Sequence, residues 1–238
     1  MKETLLKLKN VSVRYGGVQA LEDVDISIDE GEFVALMGPN GAGKSTVLKA
    51  IFGIAPLAGG DVLWHEGKIT PKAHEMVRRG VTFVPQGRQV FKSLTVYENL
   101  ELGGYALPNK SDLGKNIQEV LRFFPALREK LHTKAGHLSG GQQQMLTIAR
   151  GLVSDPKVLL LDEPSLGLSP KYVTEVFEKI KEINEARKIA VVVVEHSVKS
   201  VLEIVQRAYI LAHGRVVLEK PAKDLMGTDD LERIFLAK

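Results

Sequence analysis

The apolar run Phe33-Val34-Ala35-Leu36-Met37 passes directly into Gly38-Pro39-Asn40-Gly41-Ala42-Gly43-Lys44-Ser45, which meets the pattern G-x-x-x-x-G-K-[ST] at every fixed position. A buried strand before this segment and a helix start after it constrain the fold strongly. Between them, successive backbone N–H groups can turn toward one anion, and the positive end of the helix adds to their attraction. The pattern therefore predicts a phosphate loop in an α/β fold, with Lys44 against β- and γ-phosphates and the Ser45 hydroxyl on Mg²⁺. Gly38 to Ser45 and the following Thr46 form the predicted nucleotide-binding stretch.

With 238 residues the chain can bury a full core, as one large domain or one domain with subdomains. Net charge is +3, from 32 basic and 29 acidic side chains, so no nucleic-acid partner is expected. The absence of cysteine excludes disulfides and thiolate metal sites. Lysines interrupt the apolar residues between Met1 and Tyr15, which argues against a secretory leader. The longest purely apolar run, Ile189 to Val194, is far short of the ~20 residues needed to cross a bilayer. A cytoplasmic protein is predicted, with any membrane role exercised through a partner.

Alternation at Leu6, Leu8, Val11 and Val13, and again through Val24-Asp25-Ile26-Ser27-Ile28-Asp29, predicts half-buried antiparallel strands. Glu30-Gly31 then turns the chain into the strand before the phosphate loop. Helix one is expected from about Lys44 to Phe52, stopped by Gly53 with Pro56 beyond it. A short hairpin is predicted over Asp61 to Ile69 around Glu66-Gly67, and a buried strand at Val81-Thr82-Phe83-Val84, closed by Pro85. From Gly87 to about Ser154 the period becomes helical. Thr95-Val96-Tyr97-Glu98 reads as a capping box, and Leu113, Ile117, Val120 and Phe124 mark one apolar helical face. Apolar strands return at Val158 to Leu161 and Ile189 to Val194, separated by a helix with Ser169 as N-cap and Pro170 at its first position. A last hairpin joins Tyr209-Ile210-Leu211 to Val216-Val217-Leu218 around His213-Gly214. The predicted architecture is α/β, a phosphate-loop (RecA-like), mostly parallel sheet flanked by helices, with an N-terminal antiparallel β-subdomain and an inserted α-helical subdomain. Within one domain, residues 1–86 carry the antiparallel sheet and the first part of the nucleotide-binding core. Residues 87–154 form the helical insertion, and 155–238 the rest of the core.

The run Val158-Leu159-Leu160-Leu161 ends in Asp162-Glu163. An acid at the C-terminal tip of a buried strand beside a phosphate loop is where the water shell of Mg²⁺ needs a carboxylate, the role predicted for Asp162. Glu163 would point into the same cleft, where it can orient, or take a proton from, water attacking the γ-phosphorus. Lys44 and Asp162 lie 118 positions apart, more than small nucleotide kinases and GTPases need, so the insertion has a task of its own. Inside it, Leu138-Ser139-Gly140-Gly141-Gln142 precedes an apolar helix expected from about Gln143 to Leu152. A Ser-Gly-Gly turn at a helix start is a second anion-binding device, with a hydroxyl and N–H groups but no lysine of its own.

With these residues in this order, the chain resembles the ATP-binding cassette (ABC) ATPases over nearly its whole length. Leu138 to Gln142 matches the family's signature sequence. Gln86 matches the glutamine loop, whose side chain reaches Mg²⁺ and the attacking water; His196 matches the switch histidine at the γ-phosphate; Tyr15 matches the aromatic that stacks on adenine. The resemblance implies ATP and Mg²⁺ as cofactors, with Ser45, Gln86 and, through water, Asp162 at the metal, and Glu163, His196 and Gln86 as catalytic residues. It also implies a head-to-tail dimer, homodimeric or with a paralogue, in which ATP lies between one subunit's phosphate loop and the other's Ser139 and Gly141. One departure concerns the loop after Asp162-Glu163-Pro164. The family often ends it in Leu-Asp, whereas here it reads Ser165-Leu166-Gly167-Leu168-Ser169.

The stretches Pro85-Gln86-Gly87-Arg88-Gln89-Val90-Phe91, Leu94 to Leu100 and Glu163 to Leu168 are most similar to the branched-chain amino acid importer group. That resemblance implies transmembrane permease subunits as partners, an indirect link to a periplasmic or extracellular substrate-binding protein, and a place on the cytoplasmic face of the membrane. The segment from Gly87 to Leu100 is expected to transmit motion to the permease, with Phe91 as an exposed anchor. Subunits powering lipopolysaccharide export share much of the pattern. A soluble ABC ATPase acting on ribosomes or DNA would carry a second cassette or a long coiled coil, and Leu138 to Gln142 argues against a phosphate-loop kinase.

Overall fold

Side chains of a β-strand alternate between its two faces, so a strand covered on both sides must be apolar throughout. In the computed structural model, which describes residues 3–107, 109–196 and 198–226, three such strands form the centre of the molecule. Residues 1–2 and 227–238, the outer ends of the first and last predicted segments, lie outside the described residues. The strands are β3 (Phe33–Met37), β7 (Val158–Asp162) and β8 (Ala190–Val194), each buried along its length. Phe33, Ala35 and Met37 share one hydrophobic cluster with Leu159, Leu161, Val191 and Val193. Val34 and Leu36 share a second with Val158, Leu160, Val192 and Val194. Each fully buried Val, Leu or Ile contributes about 1.5–3 kcal/mol of transfer free energy, so these two clusters hold the fold. With β6 (Val81–Val84), β9 (Arg207–Ala212) and β10 (Arg215–Pro221), the strands make a six-stranded sheet of order β10-β9-β3-β8-β7-β6. All neighbours are parallel except the β9–β10 hairpin, in agreement with the mostly parallel sheet predicted.

The N-terminal sheet is antiparallel, with order β2-β1-β4-β5, from β1 (Thr4–Tyr15), β2 (Val18–Asp29), β4 (Leu57–Trp64) and β5 (Gly67–Ile69). Leu6, Leu8, Val11 and Val13 are all buried, although the odd step from 8 to 11 breaks strict alternation. A bulge resolves this: the register against β2 shifts between Leu8 and Val11, and Asn10 adopts φ 50°. The hairpin expected from Asp61 starts earlier, because β1 keeps pairing with β4 as far as Val13↔Leu57. The exposed Ala58-Gly59-Gly60 carries no apolar signal from which that extension could be read. Helix α1 (Lys44–Phe52) packs Val47, Leu48, Ala50 and Ile51 into the second cluster and ends at Gly53, as expected.

The insertion comprises α3 (Val96–Gly103), α4 (Leu113–Phe123), α5 (Pro125–Arg128) and α6 (Gly140–Leu152), and α7 (Pro170–Arg187) follows β7. Thr95 and Glu98 form a complete capping box on α3. Ile117, Val120, Phe124 and Leu146 pack into the same cluster as Leu159 and Leu161, so the insertion shares its core with the sheet. Ser169 precedes Pro170 at the N-cap position of α7 but makes no side-chain capping bond. The short helices α2 (Ala73–Arg78) and α8 (Val198–Leu202) have no counterpart in the sequence prediction, because helices of six and five residues show no period, whereas α5 falls within the stretch predicted to be helical.

Candidate active site

Strands β3, β8, β7 and β6 are parallel and adjacent, so their C-terminal ends open onto one edge of the sheet, where ligands of such folds bind. That edge carries the loop after β3, Glu195 and His196 after β8, Asp162 and Glu163 at β7, and Gln86 after β6. A cleft of about 520 Å³ lies there, lined by Asn40 to Thr46, by Gln86, Glu163 and His196, and by Val18 to Ala20 of β2.

The loop is built on two glycines that no other residue replaces easily. Gly38 (φ 142°) and Gly43 (φ 99°) adopt backbone conformations that side chains disfavour. A Cβ at Gly43 would also lie 2.7 Å from Leu21 Cδ2, and one at Gly38 would collide with the Leu211 carbonyl. The β9–β10 turn fastens the loop: Gly214 N–H donates to the Ala42 carbonyl (3.1 Å), and Glu22 N–H donates to that of Gly214 (2.9 Å).

Lys44 is buried, and its Nζ donates to the carbonyls of Gly38 and Pro39, both at 2.9 Å. Burial pushes its ammonium below the ordinary lysine range, against the opposing charges of Glu163 and Asp162. A desolvated cation on carbonyl dipoles favours an arriving anion. Ser45 Oγ donates to Asp162 Oδ1 at 2.8 Å. Burial raises the Asp162 carboxyl above its ordinary value, partly offset by that hydrogen bond. Together the hydroxyl and carboxylate supply the hard oxygen ligands that Mg²⁺ takes.

Glu163 occupies the left-handed region at φ 49°, unusual for a residue with a side chain. Its N–H donates to the Val194 carbonyl at 2.9 Å. Gln86 Nε2 donates to Glu163 Oε2 at 2.7 Å, and His196 Nε2 lies 2.9 Å from Oε1. Three residues from three separate loops therefore meet at one carboxylate.

Tyr15 stands outside the lining, exposed at the end of β1, while its cross-strand partner Val18 is on it. Leu138 to Gln142 also lies outside this cleft. The helix expected from Gln143 begins at Gly140, because Ser139 and Gln142 form a reciprocal capping box that draws both glycines into the first turn. Packing within the chain accounts for Gly141, where a Cβ would meet the Tyr172 ring at 2.5 Å; at Gly140 a Cβ would meet only the movable end of Arg88, Nη1 at 2.6 Å. Sequence reasoning missed Arg88, whose one signal was its place two residues after Gln86. Its Nη2 donates to the Gly167 carbonyl at 2.6 Å, tying the loop after Gln86 to the loop after Glu163.

A second cleft, of about 510 Å³ and mostly apolar, is lined by Phe52, Phe83, Phe91, Leu102, Tyr105 and Arg150 among others. Phe91 is 52% exposed and lies against the Arg150 guanidinium, 5.3 Å from the ring centroid. Arg150 Nη1 is buried without a hydrogen-bond partner, and burial lowers the affinity of this guanidinium for its proton.

Residues 21–166 match the family model described as ABC transporter. The chain is 40% identical over 233 residues to the high-affinity branched-chain amino acid transport ATP-binding protein BraG of Pseudomonas aeruginosa, covering 98% of this chain and 99% of BraG. It is 38% identical to the probable branched-chain amino acid transport ATP-binding protein LivF of Archaeoglobus fulgidus, covering 98% of each. It is 31% identical to the lipopolysaccharide export system ATP-binding protein LptB of Escherichia coli, covering 98% of this chain and 97% of LptB. Among solved structures, the ADP conformation of the ATP-binding cassette MJ1267 superposes with a TM-score of 0.88 at 28% identity, covering 99% of both chains. The chain belongs to the ABC transporter family and is its ATP-hydrolysing, ATP-binding subunit. Among the described residues no helix is long and apolar enough to cross a membrane.

Proposed function

We propose that this subunit powers an importer of branched-chain amino acids, held by transmembrane permease subunits at the cytoplasmic face of the membrane. The observation that carries the reaction is the convergence of Gln86, Glu163 and His196 on the cleft that contains Lys44 and Ser45. The substrate class is supported by full-length similarity to BraG and LivF.

In this reading the N–H groups of Gly41 to Thr46 and the positive end of α1 cradle the phosphates of ATP. Lys44 exchanges two carbonyls for β- and γ-phosphate oxygens, a gain for a desolvated ammonium. Ser45, Gln86 and, through water, Asp162 would hold Mg²⁺, which supplies charge neutralisation on the phosphates when bound. Glu163 orients the attacking water and accepts its proton, while His196 holds Glu163 Oε1 and faces the γ-phosphate. Each Glu163 oxygen has one partner here and keeps a second lone pair with which it can accept from the attacking water. Tyr15 is assigned to the adenine, beside the Val18 wall. Ser139 and Gly141 complete the site of a second subunit, identical or paralogous, and γ-phosphate release opens that clamp. The substrate-binding protein meets the permease and touches this chain only indirectly.

The apolar cleft with Phe91 is assigned to the permease. Reconstitution with the cognate permease and binding protein in proteoliposomes is expected to give ATP-driven uptake of leucine, isoleucine or valine. Phe91→Ala is expected to leave phosphate release by the isolated subunit within about twofold, as for a surface change, while reducing permease assembly and uptake. Equal loss of hydrolysis and uptake would assign Phe91 to the fold, and undiminished uptake would place the coupling surface elsewhere. The similarity to LptB supports one second reading, lipopolysaccharide export, which lipopolysaccharide release without amino-acid uptake would favour.

A further inference from the structure

Glu195 follows β8, retains 2% of its surface exposure and takes no part in lining the ATP cleft. Its Oε1 accepts the Ser165 N–H at 2.8 Å, and its Oε2 accepts the His196 N–H at 3.1 Å. A buried carboxylate is tolerated when its oxygens are hydrogen-bonded, and both of these are. The two donors flank the reacting groups: one is the backbone of His196 itself, the other lies two residues beyond Glu163. Glu163 sits in a strained backbone region that persists only where its surroundings hold it. Val194 holds the near side of that turn through the Glu163 N–H, and Glu195 holds the far side through Ser165.

We propose that Glu195 is a positioning residue: one buried carboxylate clamps the turn carrying Glu163 to the backbone of His196 and so fixes the 2.9 Å approach of Glu163 Oε1 to His196 Nε2. The proposal rests on the reading of Glu163 and His196 as hydrolytic residues. Glutamine at this position has nearly the same shape, yet its amide NH₂ would face one of the two backbone N–H groups. Either the turn or the His196 backbone then loses its bond to this side chain, and the link between them is broken, while Lys44, Ser45 and the phosphate loop are left as they are.

Steady-state hydrolysis and ATP binding of Glu195→Gln test this, alone and combined with His196→Ala. The expected result is a kcat lower by about 10²-fold, as misplacement of a reacting group produces, with KM and ATP affinity unchanged. The double variant should be no slower than His196→Ala, because both changes act on one unit. If Glu195→Gln loses its cooperative melt, Glu195→Asp, whose carboxylate is one methylene too short to reach both N–H groups, serves in its place with the same readouts. A kcat within twofold of wild type, a parallel rise in KM, or additive losses in the double variant would overturn the clamp. Undiminished hydrolysis by Glu163→Gln would instead overturn the underlying reading.

Discussion

Glu163→Gln is expected to bind ATP as tightly as the wild-type protein and to release phosphate at least about 10²-fold more slowly, the usual worth of a positioned general base. The amide preserves the size of the side chain: its oxygen can accept from Gln86 Nε2, and its NH₂ can donate to His196 Nε2 when that ring nitrogen carries no proton. It cannot take a proton from water. Lys44, Ser45 and the loop N–H groups are untouched, so the binding step should survive. Filter binding of labelled ATP, set against phosphate release, separates the two steps. An active variant would remove Glu163 from its assigned role.

Lys44→Ala should fail one step earlier, with ATP affinity reduced about 10- to 100-fold, from the roughly 1.5–3 kcal/mol of a hydrogen bond to a charged group. Two contributions reinforce each other. The phosphates lose their cation, and the carbonyls of Gly38 and Pro39 lose the donor that draws the loop together. Lys44→Arg keeps the charge, but its planar fork does not fit a space shaped for a point ammonium, so it should rescue little. Titration calorimetry with ATP in the Glu163→Gln background measures affinity without turnover. Wild-type affinity in Lys44→Ala would contradict the placement of the phosphates.

Most of this edge was legible because each residue stands at the tip of a strand with a strong apolar pattern. Phe33 to Met37, Val81 to Val84, Val158 to Leu161 and Ile189 to Val194 are unambiguous runs, and parallel pairing brings their C-terminal ends together. Arg88 and Glu195 were not legible. Their partners are backbone groups, the Gly167 carbonyl for one and the Ser165 and His196 N–H groups for the other, and no residue type at those positions announces a bond to the main chain. The early start of α6 was hidden for a related reason. Two glycines lower helix propensity by about 1 kcal/mol each, and the capping box that overrides them depends on Gln142 turning back to the Ser139 N–H. The bulge at Asn10 was concealed in the same way, since the buried positions on either side each look like ordinary alternation.

Leu138 to Gln142 lies outside the cleft formed by Asn40 to Thr46, so on the proposed reading no single copy of the chain holds a complete site. The γ-phosphate is then part of an interface between two copies, a reading supported by similarity to the dimeric MJ0796 cassette, 33% identical with a TM-score of 0.80 over 92% of this chain and 99% of that one. Multi-angle light scattering of Glu163→Gln, run with ATP and with ADP in the absence of Mg²⁺, measures this directly. The predicted result is a dimer with ATP and a monomer with ADP, with Ser139→Ala shifting the ATP sample back toward monomer; the same mass under both nucleotides would contradict a composite site.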